Sequence, residues 1–291
     1  MKTLSVPLQE DLRQMFGPRV SFDRMERRIY SHDVGVLPKL VKPIIGDATA
    51  AAVVQPKSER ELIELVQWAN EHKVPLVPRA KATSGYGGVM PVKGGLSVDL
   101  HHLRQILEID REAMVARVQP AVVWGDLEQE VAKQGLALRT YPSSGLSATV
   151  GGWVAEGGSG IGSYTYGDLS DNLLSLEVAT PQGVKHVEGE EIELYVGSEG
   201  LLGFITEVEL AVREAVEDTP ILFAFDEPAA AQRFIDDLGA RDLPIFHLQV
   251  ITPQLAALKN QVVEEAYLPE NSYLALAALS TDDSASRKAI E

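Results

Sequence analysis

Residues 142–162 read P-S-S-G-L-S-A-T-V-G-G-W-V-A-E-G-G-S-G-I-G. Glycine stands at 145, 151, 152, 157, 158, 160 and 162, among small hydroxyl residues. Glycine loses more conformational freedom on ordering than any other residue, so this density is expected where side chains must be absent. A ligand pressed against backbone is one such reason. The stretch reads as half of a cofactor cradle. The other half is P-R-A-K-A-T-S-G-Y-G-G at 78–88, and a third small-residue turn, G-S-E-G-L-L-G at 197–203, closes the set. Successive backbone N–H groups in such turns form nests for anions, a pyrophosphate above all. Thr83, Ser84, Ser143, Ser144 and Thr149 offer hydroxyl donors. A single loop of this kind would read equally well as a tight turn. Three of them flanked by predicted strands point to a cofactor site.

Composition sets the surrounding limits. The chain has 291 residues, 45% hydrophobic and 23% charged, with a formal net charge of −16. That is an ordinary globular balance for about two domains. A strongly acidic chain is a poor partner for nucleic acid or an anionic membrane, both of which need clustered Lys and Arg. There is no cysteine, which excludes a disulfide framework, a thiol nucleophile and a cysteine-ligated iron–sulfur cluster in this chain. No apolar run approaches the ~20 residues of a membrane span, and the first residues lack the apolar core of a signal peptide. A cytoplasmic protein is expected.

Taken in order, residues 5–30 predict a helical arm, amphipathic through Leu8, Leu12, Met15 and Phe16. Residues 49–55 predict a buried strand. Ser58 and Glu61 have the S-x-x-E spacing of a capping box, and Leu62, Leu65, Val66 and Ala69 follow at the spacing of one buried helical face. Strands are predicted at 74–77 and 96–100, and a hairpin at 106–119 that turns at Asp110-Arg111-Glu112. A second helix falls within 122–138 and stops at Gly135. Strands at 173–180, 184–187 and 204–212 follow, with the acidic residues 188–193 as a solvated loop. After residue 214 the texture becomes strand 221–225, helix 228–238, strand 245–250, helix 254–262, strand 273–279 and a helix beginning at 284–291. That series lacks a closing element, so the second unit is expected to be incomplete within the chain, whether by truncation or because a partner completes it.

Other chemistries are missing. Gly158, Gly160 and Gly162 give G-x-G-x-G, not the G-x-G-x-x-G of a dinucleotide-binding Rossmann unit. No P-loop and no G-x-S-x-G elbow occurs. The adjacent His101 and His102 are expected to point apart, without the spacing of metal ligands.

The motifs together resemble a known family. P-R-x-x-x-T-S-x-x-G-G at 78–88 is similar to the first signature of the FAD-binding PCMH-type (vanillyl-alcohol oxidase / p-cresol methylhydroxylase) oxidoreductases. Around it, in the expected order, stand V-x-P-K-S-E-R-E-L-I-E-L-V-Q-W-A-N at 54–70, the hairpin and helix of 106–127, Y-P-S-S at 141–144, T-V-G-G at 149–152, Y-G-D-L-S-D-N at 166–172 and G-S-E-G-L-L-G-F-I-T at 197–206. Order and spacing resemble the D-lactate dehydrogenase / glycolate oxidase FAD-subunit branch over residues 46–214.

The resemblance implies an α+β fold: an N-terminal arm (1–45), a two-lobed FAD-binding domain (46–214) and a partial ferredoxin-like α/β cap (215–291) that covers the flavin and selects substrate. It implies that Pro78, Arg79, Ala80, Lys81, Ala82, Thr83, Ser84, Gly85, Gly87 and Gly88 hold the pyrophosphate. Pro142, Ser143, Ser144, Thr149, Gly151, Gly152, Gly158 and Gly162 would line the flavin and ribityl side, and Gly203, Ile205 and Thr206 the adenosine side. The usual glycine run is here Ala80-Lys81-Ala82, so backbone approach is expected to be less close. Lys81 either brings charge to the phosphates or points to solvent. Thr83 stands where covalent relatives carry histidine and no cysteine is available, so FAD is expected to bind non-covalently.

The implied activity is oxidation of a small 2-hydroxy acid such as lactate or glycolate. Electrons would leave for a separate carrier, an iron–sulfur protein or an electron-transfer flavoprotein. Another alcohol, phenol or sugar-acid oxidase of the superfamily, or a non-catalytic FAD-holding subunit or fragment, are the alternatives. The H-x-G-D-G-N-x-H motif of hydroxy-acid relatives is not found in the chain, and no catalytic base is assigned. Tyr164 and Tyr166 read as packing residues, and Asp168 and Asp171 as ordering the following turn.

Overall fold

The computed structural model describes residues 3–36, 38–46, 48–241 and 243–280. The helix expected at 284–291 lies outside the described residues. The first lobe is formed by α1 (Val6–Phe16), β1 (Val20–Ser21), α2 (Arg24–Ile29), α3 (Lys42–Ile45), β2 (Ala52–Val54), α4 (Glu59–His72), β3 (Leu76–Arg79) and β4 (Leu96–Asp99). Its sheet runs β1-β2-β4-β3, with β2, β4 and β3 parallel. The expected stripe of α4 is buried: Leu62 and Leu65 are fully enclosed, with Val66, Trp68 and Ala69 beside them. Each such leucine contributes about 2 kcal/mol by leaving water. Leu12 and Phe16 of α1 sit in the same core.

The cap of α4 is only half the expected box. Ser58 Oγ accepts from the Glu61 N–H, but the Glu61 carboxylate accepts from the Lys57 N–H at 2.9 Å and forms a two-pronged pair with Arg19 at 2.5 and 2.8 Å. A stronger, charge-assisted partner outcompetes the local one.

The second lobe comprises β5 (Ile106–Asp110), β6 (Val115–Val118), α5 (Trp124–Ala132), β7 (Leu136–Leu138), α6 (Val150–Glu156), α7 (Ser163–Tyr166), β8 (Leu173–Thr180), β9 (Gly183–Glu188), α8 (Ile192–Tyr195) and β10 (Phe204–Glu214). All its strand pairs are antiparallel, in the order β5-β6-β10-β8-β9, with β7 also on β10. Three expectations change. The helix of α5 ends at Ala132, and residues 136–138 form a strand against Val212–Glu214. The glycine stretch 142–162 is not all loop, because α6 lies inside it. The acidic residues 188–193 fold into short helical turns that bury Ile192. Ala179 and Phe204 join the core of the first lobe, so the two lobes share packing.

After residue 214 come β11 (Asp218–Phe225), α9 (Pro228–Gly239), β12 (Ile245–Ile251), α10 (Pro253–Asn260) and β13 (Tyr273–Ser280), close to the expected series. They form an antiparallel sheet in the order β11-β13-β12. Phe234 and Leu238 of α9 pack on Ile221, Phe223 and Ile245. The sheet is tied to the second lobe where α7 meets β12. Thr165 Oγ1 donates to the Ile245 carbonyl, and Tyr166 packs edge-on against Phe246 at 6.3 Å.

Candidate functional site

Between the two lobes lies a cavity of about 470 Å³. The loop after β3 forms one wall, the first turn of α6 with Pro120 and Ala148 a second, and residues 198–205 a third. The volume is in the range of ordinary ligand sites.

The loop wall presents backbone. Among the described residues, the N–H groups of residues 80–85 donate to no protein acceptor. A consecutive row of free N–H groups facing a cavity is the donor set of an anion nest. Ala82 turns the row through a left-handed conformation, φ 50, without being glycine. The loop is braced from behind by the segment that follows α2. Asp33 Oδ1 accepts from the Gly35 N–H at 2.9 Å, and Oδ2 accepts from the Gly87 N–H at 2.6 Å. Val34 N–H donates to the Ser84 carbonyl. Arg79 braces the same segment: Nη1 donates to the carbonyls of His32 at 2.6 Å and Tyr30 at 3.3 Å, over the Tyr30 ring. Burial holds its pKa below the usual guanidinium value, against the pull of Asp99, Tyr30 and Asp33.

The second wall is fixed by close contact. Gly151 N–H donates to the Pro120 carbonyl, and a Cβ on Gly151 would collide with the ring Cβ and the Cα of Pro120. Gly200, at φ 76, leaves no room for a Cβ beside Pro78. Thr149 Oγ1 caps α6 by accepting from the Gly152 N–H at 3.2 Å, and Val150 N–H donates to Val122. The first-turn donors of α6 are therefore satisfied within the protein, whereas residues 80–85 present a consecutive row of free ones.

Charge on the walls is mixed. Lys81 is exposed at the rim. Asp33, Glu156 and Glu199 line the same space. Ser84 Oγ donates to Glu156 Oε1 at 3.2 Å, linking loop to helix end. The Glu199 carboxylate lies against Gly88, and burial, then Glu156 and Asp33, push its pKa up.

The cavity gathers Pro78, Arg79, Ala80, Lys81, Ala82, Thr83, Ser84, Gly85, Gly88, Ser144, Thr149, Gly151, Gly152, Gly203 and Ile205 of the expected set. The remaining candidates lie off its lining. Gly87 is bonded to Asp33 behind the loop. Pro142 is buried, Ser143 is exposed, and Gly158 has open space around it. Gly162 packs against Arg139 and Phe246, toward the third sheet. Thr206 is buried with Oγ1 donating to the Glu177 carbonyl. Asp33, Pro120, Trp153 and Glu156 line the cavity without having been expected. Only Asp33 carried a local signal, the D-x-G of a side chain bonding its own backbone two residues on.

Tyr166 and Asp171 match their expected structural roles. Arg139 lies over the Tyr166 ring at 5.7 Å, and Asp171 Oδ2 accepts from the Asp168 N–H at 2.8 Å. His101 and His102 do not point apart: their rings are 3.8 Å apart, and His101 Nδ1 is 2.7 Å from Asp99 Oδ2. Asp99 holds the His101 ring through Nδ1, and the His102 ring packs beside it. Among the described residues no cluster of His, Asp or Glu is arranged to hold a metal ion, and no helix is long and apolar enough to cross a membrane.

Comparison with known proteins agrees with this geometry. Residues 50–187 match the FAD_binding_4 family, described as FAD binding domain. The chain is 34% identical over 251 residues to the glycolate oxidase subunit GlcD of Bacillus subtilis, covering 81% of this chain and 52% of that protein. It is 33% identical over 230 residues to an alkyldihydroxyacetonephosphate synthase of Dictyostelium discoideum, covering 73% of this chain and 38% of that protein. The mitochondrial cytochrome D-lactate dehydrogenase of Arabidopsis thaliana is 34% identical over 172 residues, 56% of this chain and 30% of that protein. A solved alkyldihydroxyacetonephosphate synthase has the same fold, with a TM-score of 0.85 over 99% of this chain and 58% of that one at 23% identity. The chain thus spans about half the length, or less, of these curated relatives.

Proposed function

The chain belongs to the PCMH-type FAD-binding oxidoreductases, in the branch of the glycolate oxidase FAD subunit and D-lactate dehydrogenase, and from that premise we propose that it oxidises a small 2-hydroxy acid such as lactate or glycolate. FAD, when bound, would supply the redox chemistry as acceptor of the substrate's hydride. The chain's own residues hold and place the cofactor. The free N–H row of 80–85 receives the diphosphate, and Gly151, Gly152 and Pro120 let the cofactor lie against backbone. With no cysteine in the chain and threonine at 83, attachment is non-covalent.

The observation that carries the reading is that unpaired N–H row, opening on a cavity whose other walls bring in Gly151, Gly152, Gly200 and Gly203. Residues 215–291 are proposed as the part that covers the flavin and selects substrate. Electrons pass to a separate protein, an iron–sulfur protein or an electron-transfer flavoprotein, since this chain has no cysteine to ligate a cluster. Kinship with alkyldihydroxyacetonephosphate synthases supports a second reading, in which the same domain holds FAD for a synthase.

Anaerobic mixing of the FAD-loaded protein with a panel of 2-hydroxy acids tests the proposal. Loss of the visible flavin band with lactate, glycolate or a near homologue is expected. Bound FAD that no hydroxy acid bleaches would remove the substrate and leave the synthase or electron-transfer reading. Failure to bind FAD at all would remove the whole.

A further inference from the structure

The donor row of residues 80–85 ends against a segment from an earlier part of the chain. Residues 31–35 follow α2 and precede residues 50–187, where the FAD-binding match lies. They touch the loop at consecutive positions. Asp33 Oδ2 accepts from the Gly87 N–H at 2.6 Å, and Val34 N–H donates to the Ser84 carbonyl at 3.3 Å. Gly35 lies so close to Gly85 that a Cβ on it would fall 2.2 Å from the Gly85 carbonyl oxygen. The other carboxylate oxygen of Asp33 accepts from the Gly35 N–H at 2.9 Å, which fixes the turn of the segment itself. Asp33 therefore ties both sides of the contact. A carboxylate suits this place because it accepts at both oxygens, where an amide accepts at one.

The segment is anchored in its turn. Ser31 is fully buried, its Oγ donating to the Arg27 carbonyl and accepting from the Ala50 N–H at 2.8 Å. Arg79, at the end of β3, donates to the His32 carbonyl at 2.6 Å. The support behind the loop is thus held by α2, by the entry to β2 and by β3.

Peptide geometry carries this support through to the donors. A peptide unit is planar and trans, so its C=O and the following N–H point in opposite directions. Val34 holds the Ser84 carbonyl on the side of residues 31–35, and the Gly85 N–H of the same unit is aimed the other way. Gly85 lines the cavity, and its N–H donates to no protein acceptor among the described residues. The bond from Gly87 to Asp33 fixes the far end of the same turn. A loop lacking these ties would have to be ordered by the ligand, at a cost to affinity.

Resting on the reading of this cavity as the FAD site, we infer that Asp33 is a positioning residue. It sets residues 84–87 in advance, so that the N–H row is presented to the cofactor's diphosphate. Docking of residues 31–35 and binding of FAD then reinforce each other.

The test uses the full chain freed of cofactor, with the Kd for FAD followed by flavin fluorescence. Asp33→Ala removes both acceptors and should raise Kd about ten- to hundredfold. Asp33→Asn keeps one acceptor and should fall between the two. At saturating FAD, the phosphorus resonances of the bound diphosphate should be displaced in Asp33→Asn relative to wild type, which a loss of fold stability alone would not produce. In the wild-type chain, FAD should slow hydrogen exchange at the Gly35 and Gly87 N–H groups by the full binding factor, one plus the ratio of free FAD to Kd. Wild-type affinity in Asp33→Ala, unmoved phosphorus resonances in Asp33→Asn, or exchange at Gly87 indifferent to FAD overturns the inference and leaves FAD binding intact. Absence of FAD binding by the wild-type chain overturns both. The wild-type exchange measurement decides the point even if neither variant folds.

Discussion

Arg213, next to the last residue of β10, donates from Nη2 to Asp218 Oδ2 at 2.5 Å, across the bend by which the chain leaves the FAD-binding lobes for the third sheet, β11-β13-β12. Its Nε donates to the Leu138 carbonyl, its Nη1 to Ser280 Oγ, and the guanidinium lies 4.1 Å from the Phe246 ring centroid. One buried cation thus holds β7, β11, β12 and β13 together. Arg213→Ala should lower stability by roughly 2–4 kcal/mol, since it strands Asp218 and the Leu138 carbonyl. Arg213→Lys should recover little, because an ammonium cannot reproduce the forked donors or the stacking. Urea unfolding midpoints of the three proteins check this; a lysine variant equal to wild type would show that charge alone suffices.

Gly151 is expected to tolerate no side chain. The atoms a Cβ would meet belong to Pro120, largely its backbone, and Pro120 lines the same cavity. Gly151→Ala should therefore destabilise by about 1–3 kcal/mol as overpacking and weaken FAD retention together with it. Gly158→Ala is the control. Nothing lies near its Cβ, so only the cost of its φ of 110 remains and FAD retention should be preserved. Equal loss of FAD from both variants would show that the Pro120 contact does not shape the site.

Ala82 gives the converse case. Its φ of 50 is left-handed, in a loop whose N–H row depends on that bend. Ala82→Gly relieves the steric penalty and increases unfolded-chain entropy, for a net change between zero and about 1 kcal/mol in favour of the fold. Ala82→Val crowds a branched side chain into the same conformation and should lose about 1–2 kcal/mol with a marked fall in FAD affinity. A valine variant binding FAD as wild type does would mean that the bend is not needed.

What was legible in the sequence was what local physics determines. The stripe of α4 and the hairpin of β5 and β6 follow from spacing and turn residues alone, and both stand where expected. The glycine loops were legible because close approach excludes side chains wherever the partner comes from. Residues 136–138 were not, since what makes them a strand is pairing with residues 212–214, far along the chain. Asp33 was hidden for the same reason: its second acceptor oxygen serves Gly87, 54 residues away. Glu61 shows local logic overruled, its carboxylate drawn from the Ser58 N–H by Arg19.

His247 on β12 provides a pH test of the third sheet. Burial is the main cause that lowers its pKa, opposed by a hydrogen bond with Gln249. The fold therefore favours neutral imidazole. Above the unfolded value of about 6.5 the group is neutral in both states and contributes no pH dependence. As pH falls through that value the unfolded chain takes up the proton first, so the unfolded state gains and stability declines until the lowered folded value is reached. His247→Gln should remove that component while leaving the contributions of every carboxylate in place. The measurement is the difference in thermal midpoint between wild type and variant across about pH 8 to 5. It should be constant at the alkaline end and shift in the variant's favour on acidification; a difference that stays constant to the acid end would place His247 in an environment that accepts its charge.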